Sequence, residues 1–127
     1  MKPKKCISVE EARNQQNEWV RTRGKDIERG EGYEDTREFW YSLDELQEYL
    51  DYVREKSAEQ GVKKPGIRFY LGAYPKGENK KSYSTIFLAA TKEKENKDVE
   101  DEEGQNENNY EIEPMNTITS GMPPKIY

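Results

Sequence analysis

The sequence contains no histidine and a single cysteine, Cys6. Without histidine, the usual acid–base group at neutral pH, histidine-dependent triads and histidine zinc sites are all excluded. One cysteine excludes an internal disulfide and thiolate metal clusters. The glycines occur singly, so a glycine-rich phosphate loop is also missing. The sequence therefore predicts a protein that is not an enzyme and that holds no cofactor and no metal.

Carboxylate chemistry is the one catalytic route that these absences leave open. Glu34, Asp35 and Glu38 lie close together around the start of a predicted strand. Paired carboxylates perform acid–base catalysis when their surroundings separate their pKa values. The chain carries 26 acidic residues, so a cluster of this kind arises by chance. Since no motif defines a geometry, we expect no catalysis from it.

Apolar residues are also scarce, at 31% of the chain against 37% charged residues. Soluble domains usually contain about 45–50% apolar residues, counted with glycine, and about 25% charged residues. The mean hydropathy of −1.27 excludes a membrane-spanning segment. The basic N-terminus is not followed by an apolar stretch, which argues against a signal peptide. We therefore expect a cytoplasmic protein with Cys6 reduced.

The net charge of −5 comes from one segment. Residues 92–107 contain 3 lysines against 8 acidic residues and a single apolar residue, Val99. Such a composition cannot bury enough apolar surface to offset the entropy of ordering. It predicts an acidic flexible linker over residues 92–109, after one small domain over residues 1–91. Residues 110–127 regain tyrosine, isoleucine, methionine and proline, which indicates a docking peptide.

Two capping boxes mark the starts of helices. Ser8 with Glu11 predicts a first helix from Val9, and Ser42 with Glu45 predicts a second helix that ends near Gly61. The second helix has a clear apolar stripe at helical spacing. The stripe consists of Leu43, Leu46, Tyr49, Leu50 and Val53.

Three strands are predicted, over residues 37–41, 67–73 and 83–90. The last two form an antiparallel hairpin, and the first reaches the second through a helical crossover, which favours parallel strands. The order α-β-α-β-β predicts an α+β fold. Its core is a small three-stranded mixed sheet with two helices on one face, followed by the acidic linker and the extended C-terminal peptide.

The alternation of the strand 67–73 divides its side chains between two faces. We expect the helices to cover Ile67, Phe69 and Leu71. Arg68, Tyr70 and Tyr74 then look away from the helices, together with Ile86 and Leu88 of the next strand. The C-terminal peptide 110–127 is expected to cover this second face, in the same chain or in a second copy.

Six residues are candidates for binding. Arg68, Tyr70 and Tyr74 combine a cation with two rings, and Tyr52 lies on the polar side of the second helix. The C-terminal peptide adds Tyr110 and Tyr127. Rings and apolar groups on one surface are typical of a contact with a protein or peptide.

Two functions are compatible with this pattern. The first is a non-enzymatic protein-interaction module, such as a regulator, an adaptor or an immunity- or antitoxin-like inhibitor. Its partner would be an unidentified protein or a second copy of the chain. The alternative is a nucleotide- or oligonucleotide-binding domain, in which Arg68 neutralises a phosphate while Tyr70 and Tyr74 stack bases. Residues 1–91 sum to +1 without a basic excess, which disfavours nucleic acid; no membrane or metal partner is indicated.

Overall fold

The computed structural model describes residues 1–78, 80–94, 106–116 and 119–120. In chain order, the helical elements are α1 (Val9–Trp19), a π-helical segment (Val20–Gly24), α2 (Lys25–Glu31) and, after strand β1, α3 (Leu43–Glu59). The strands are β1 (Phe39–Trp40), β2 (Gly66–Ala73), β3 (Ser84–Glu93), β4 (Asn106–Asn108) and β5 (Thr119–Ser120). The predicted α+β class and the three-stranded sheet are confirmed.

Both predicted helix starts are capped. The Ser8 hydroxyl accepts a hydrogen bond of 3.0 Å from the amide of Glu11. At the start of α3 both halves of the capping box form, since Ser42 Oγ accepts from the Glu45 amide and Glu45 Oε1 accepts from the Ser42 amide. After α3, Gly61 has a φ of 75°, a left-handed conformation that costs glycine little.

The helical run over residues 9–31 changes to a π-helix in its middle. The Thr22 hydroxyl donates to the carbonyl of Glu18 at 2.6 Å, a bond that competes with the regular helical ladder. A Cβ on Gly24 would lie 3.2 Å from Cζ3 of Trp19, so a side chain there would require the indole ring to shift by a few tenths of an ångström. None of these three segments buries a residue. No helix in the described part of the chain has the length and apolar character to cross a membrane.

The main sheet has the strand order β2-β3-β4 and is antiparallel throughout. The predicted β2–β3 hairpin is confirmed, but the third strand differs from the expectation. The strand expected at 37–41 is reduced to β1, which pairs with β5 in a separate two-stranded sheet. Residues 106–108 occupy the third place instead. Because β1 pairs with β5, it does not join the main sheet as the expected parallel strand, and the main sheet is antiparallel rather than mixed.

The core lies between α3 and one face of the main sheet. Its buried hydrophobic residues are Tyr49, Val53, Leu88, Ala90 and Ile112. Directly opposed residues of antiparallel strands share a face. Phe69 is opposite Leu88, and Leu71 is opposite Ile86. Ile86 and Leu88 therefore lie on the α3 side, and the expectation that they share a face with Tyr70 and Tyr74 is wrong.

The segment 106–116 runs along the outer edge of β3. The amide of Asn109 donates to Ala90 O at 2.9 Å, and Leu88 and Met115 exchange two hydrogen bonds of 2.9 Å. Ile112 is 2% exposed and packs in the core. The segment is thus a broken third strand that also supplies a core side chain.

The ends of two strands lie within the range 92–109 predicted as a linker, since β3 reaches Glu93 and β4 spans Asn106–Asn108. Residues 95–105 lie outside the described residues. In the segment 110–116, Ile112 packs on the helix side of the sheet, and the Asn116 side chain bonds Tyr74 and Thr85. Most of 117–127 also lies outside the described residues, so the face predicted for the C-terminal peptide stays a prediction.

Candidate functional site

Arg68 and Tyr70 lie on the face of β2 that points away from α3, and both bind within the chain. Arg68 Nη1 donates to Asn108 Oδ1 at 2.6 Å, and Asn108 Nδ2 donates to the Tyr70 hydroxyl at 2.7 Å. The Tyr70 ring is stacked on Phe87, with ring centroids 5.1 Å apart. These two predicted site residues are brought together around one asparagine of β4.

Tyr74 and Tyr52 also contact the segment 106–116, at two separate points. The Tyr74 hydroxyl donates to Asn116 Oδ1 at 2.8 Å. The Tyr52 hydroxyl accepts a hydrogen bond of 3.3 Å from the amide of Glu113. Tyr52 is half-buried because this segment covers the side of α3 that the helical stripe leaves polar.

The last two predicted site residues are not joined to the others. Tyr110 is 89% exposed, and Tyr127 lies outside the described residues. Sequence reasoning expected residues 110–127 to pack near Tyr74, but it missed the segment 106–109, whose Asn108 bonds Arg68 and Tyr70. The signal that points to it is a group of asparagines, whose amides both donate and accept. Three of them, Asn108, Asn109 and Asn116, make side-chain hydrogen bonds to residues earlier in the chain.

The hydroxyl of Tyr49 joins three elements. It lies 3.1 Å from Leu88 O and 3.0 Å from Glu113 O, and it can donate to either. Burial raises the pKa of Tyr49 to about 12, with smaller effects from Tyr52 and Tyr41. The phenol therefore stays neutral and holds α3, β3 and the segment 106–116 together.

The opposite edge of the sheet, formed by β2, has no partner strand among the described residues. The amide of Tyr74 donates to Tyr83 O, which continues the β2–β3 ladder and fixes which residues point towards β3. By the alternation of an antiparallel ladder, the outward N–H and C=O groups belong to the odd-numbered residues. These residues are Ile67, Phe69, Leu71 and Ala73. No described strand pairs with this side of β2.

Exposed apolar side chains accompany the open edge. Phe69 is 65% exposed and Leu71 is 85% exposed, although both lie on the same face as α3, so the expectation that the helices cover these two residues is wrong. Leu50 of α3 lies beside Ile67, where both line a small cleft. Leu43 is two helical turns before Leu50 and lies on the same side of α3.

Leu43 is itself 83% exposed. We call Leu43, Phe69 and Leu71 the apolar rim. Large exposed apolar groups that gather beside one edge mark an interaction surface more often than scattered ones do.

Natural edges are protected from strand addition by lysines, prolines, bulges or short length. The strand β2 has no lysine, proline or bulge between Gly66 and Ala73 and pairs with β3 without interruption over eight residues. Its one charged residue, Arg68, has its guanidinium bonded to Asn108 across the sheet. Pro65 and Pro75 flank the strand at its two ends. Between these prolines, no described strand occupies the edge.

A cleft of about 110 Å³ beside the π-helical segment is a second feature of interest. Its walls include Trp19, Glu34 and Arg37. Arg37 Nη1 lies 3.4 Å from Glu34 Oε1, and its Nε is buried with no hydrogen-bond partner among the described residues.

Asp35 also lines this cleft, but its carboxylate is occupied. It accepts from the amides of Thr36 and Ser84, at 2.8 and 2.9 Å, and from the Ser84 hydroxyl. These bonds fix the start of β3. Of the three carboxylates considered for catalysis, Asp35 thus has a structural role.

The described residues include no group of three or more aspartate, glutamate or cysteine side chains placed to hold a metal ion. The described residues offer two candidate features, the unpaired edge of β2 and the small cleft beside the π-helical segment. Comparison with known proteins finds no matching family model, no matching curated protein and no matching solved structure.

Proposed function

We propose that this chain is a non-enzymatic protein-interaction module whose docking surface is the β2 edge with its apolar rim. The observation that carries the proposal is the coincidence of outward backbone N–H and C=O groups with exposed Phe69 and Leu71. Strand addition to such an edge gains main-chain hydrogen bonds, while side chains beside the edge give selectivity. A partner that fits has an extended segment with apolar side chains on one face.

The contacts of the predicted site residues favour the edge over the sheet face. Arg68 and Tyr70 are bonded to Asn108, and the Tyr70 ring is stacked on Phe87. Binding of a nucleotide would require that guanidinium for a phosphate and that ring for a base. The protein-interaction function needs neither group, so the geometry supports it better than the nucleotide-binding alternative.

The same proposal includes the type of interaction protein and its cellular location. A regulator, an adaptor or an immunity- or antitoxin-like inhibitor acts through a complementary surface and needs no catalytic group. We propose a cytoplasmic location, because Cys6 is free and exposed, as is common in a reducing compartment.

Affinity capture with matched baits tests the proposal. The baits are the full chain, Leu71→Lys at the edge and Tyr110→Lys away from it. Both substituted side chains are exposed, at 85% and 89%, so neither change disturbs the core. We expect Leu71→Lys to lose proteins that the unmodified chain and Tyr110→Lys retain. If all three baits capture the same proteins in equal amounts, the edge is not the docking surface.

A further inference from the structure

We propose that the strand accepted by the β2 edge is β2 of a second copy, paired antiparallel about a two-fold axis at Tyr70. The inference rests on the proposed function, because it names the partner of the same edge. A two-fold axis normal to the sheet keeps each face continuous across the two copies. The two three-stranded sheets then form one sheet.

This register satisfies every outward backbone group of β2. Phe69 pairs with Leu71 of the second copy, and Ile67 pairs with Ala73 of the second copy; symmetry repeats both pairs. All these residues have outward N–H and C=O groups. In an antiparallel ladder each such pair exchanges two hydrogen bonds. No outward donor between Ile67 and Ala73 is left unpaired.

The flanking prolines disfavour the neighbouring registers. Pro65 and Pro75 occupy odd-numbered positions, the same parity as the outward residues. A two-fold axis at Phe69 would place Pro65 opposite Ala73 of the second copy, and an axis at Leu71 would place Pro75 opposite Ile67. Each shift loses a hydrogen bond, because proline has no N–H to donate. An axis between two residues would pair side chains of opposite faces. The axis at Tyr70 is therefore the register with the most hydrogen bonds.

Side chains and charges are also self-complementary in this register. Each exposed Phe69 lies beside Leu71 of the second copy, which gives two equivalent apolar pairs. On the other face, Tyr70 meets its own copy. Arg68 lies opposite Gly72 of the second copy, so no like charges oppose each other along the strand.

The exposed area predicts a weak dimer. Phe69 and Leu71 together expose on the order of 250 Å² per copy, judged from the usual size of large apolar side chains. A stable interface buries about 800 Å² per partner. The paired backbone and Leu43 add to the buried area, but the total stays below that of a stable interface. We therefore expect the fraction of dimer to depend on chain concentration.

Segments of the same chain fit the edge less well than a second copy does. Residues 121–127 contain Pro123 and Pro124, which cannot donate to a ladder. Residues 95–105 contain one apolar residue, Val99, and cannot cover Phe69 and Leu71. If either segment did fill the edge, the purified chain would remain a monomer.

Sedimentation equilibrium of the purified full chain tests the dimer. From micromolar to millimolar concentration, the mass should rise from 14.9 kDa towards twice that value. Leu71→Lys should raise the dissociation constant by about tenfold or more, because it puts a charge on the paired edge. Tyr110→Lys should associate like the unmodified chain. A monomer at every concentration, or unchanged association of Leu71→Lys, would overturn the inference.

Disulfide trapping tests the register. In a Cys6→Ser background, Phe69→Cys and Leu71→Cys chains are mixed and oxidised. The opposed Cα atoms should be about 5.5 Å apart, within the range for a disulfide. In a dimer of two identical variants, the two cysteines are offset by two residues along the paired strands, which is beyond disulfide range. In the mixed dimer the two cysteines are opposite each other, and one native Phe69–Leu71 pair is kept. The mixed disulfide should dominate, and a predominance of like disulfides would overturn the register.

The two proposals fail in different ways. If the purified chain stays monomeric while Leu71→Lys still abolishes affinity capture, the second copy is the wrong partner and the docking edge stands. If Leu71→Lys changes neither sedimentation nor capture, both proposals are overturned.

Discussion

The two edges of the main sheet differ in how they are paired. The outer edge of β3 is closed by residues 106–116, which add backbone hydrogen bonds, asparagine side chains and the buried Ile112. The edge of β2 is left unpaired by every described strand and carries the apolar rim. Edges that serve only stability are usually covered or charged. Among the described residues, the chain closes one edge of the sheet and leaves the other unpaired, and the unpaired edge is the one at which we propose binding.

Ile112→Ala should break the closed edge most severely. The side chain is 2% exposed among Tyr49, Val53 and Leu88, so its truncation leaves a cavity. We expect a loss of about 2–4 kcal/mol in the free energy of unfolding, measured by urea denaturation. Tyr110→Ala, two residues earlier and exposed, is the matched control and should stay within about 0.5 kcal/mol. Equal effects of the two changes would show that the segment does not contribute to the core.

Tyr49→Phe should weaken the junction between α3, β3 and the closing segment. It removes the hydroxyl that bonds Leu88 O and Glu113 O, for an expected loss of about 1–1.5 kcal/mol near neutral pH.

The same residue predicts a dependence on alkaline pH. The pKa of Tyr49 is raised from 10.0 to about 12 in the folded chain. The unfolded chain therefore releases this proton first, and the contribution of Tyr49 to stability is complete below pH 10 and falls between pH 10 and about 12. Denaturation across this range should show a smaller loss for Tyr49→Phe than for the unmodified chain. Parallel curves would contradict the assignment.

Asn108→Ala should loosen β4 without a cavity. Arg68 and Tyr70 both lose a side-chain partner, and we expect a loss of about 1 kcal/mol. Amide hydrogen exchange should be faster in β4, at Glu107 and its neighbours. Glu107→Ala, on the same strand but exposed, is the control and should leave exchange unchanged. No difference between the two variants would mean that the asparagine does not hold the strand.

Leu71→Lys should have the smallest effect on stability, which sharpens the contrast with Ile112→Ala. Leu71 is exposed on the open edge, so the free energy of unfolding of the monomer should change by no more than about 0.5 kcal/mol. The measurement is made at a concentration where the chain is monomeric. A loss comparable with that of Ile112→Ala would show that the β2 edge also supports the fold.

Features that depend on near neighbours in the chain were predictable. The caps at Ser8 and Ser42, the end of α3 at Gly61 and the β2–β3 hairpin follow from local chemistry and periodicity. The strand β4 was not predictable in this way. Its sequence, Asn106–Glu107–Asn108, has low strand propensity, and it pairs because Arg68 and Tyr70 reach it from a distant strand.

The candidate site was predictable in composition and not in arrangement. Alternation along β2 assigns its side chains to two faces. Which side chains of β3 share each face depends on the register of the hairpin, which alternation does not give. Whether β2 is an edge strand depends on the order of the strands, which is set by residues 106–116. The sequence therefore indicated Arg68 and Tyr70 as binding groups, while the structure directs attention to Phe69 and Leu71.

Closure of β3 by a distant segment also affects the path of folding. The β2–β3 hairpin joins residues 11 to 25 positions apart, from Ala73–Ser84 to Gly66–Thr91. The bonds of Leu88 with Met115 and of Tyr49 with Glu113 span 27 and 64 positions, and such long-range contacts form late. Until then Leu88 lacks its partner Met115 and its cover by Ile112. Chains in this intermediate stage associate through their edges more readily than native chains do. Refolding yield should therefore fall at high chain concentration, even under conditions where the native state is stable.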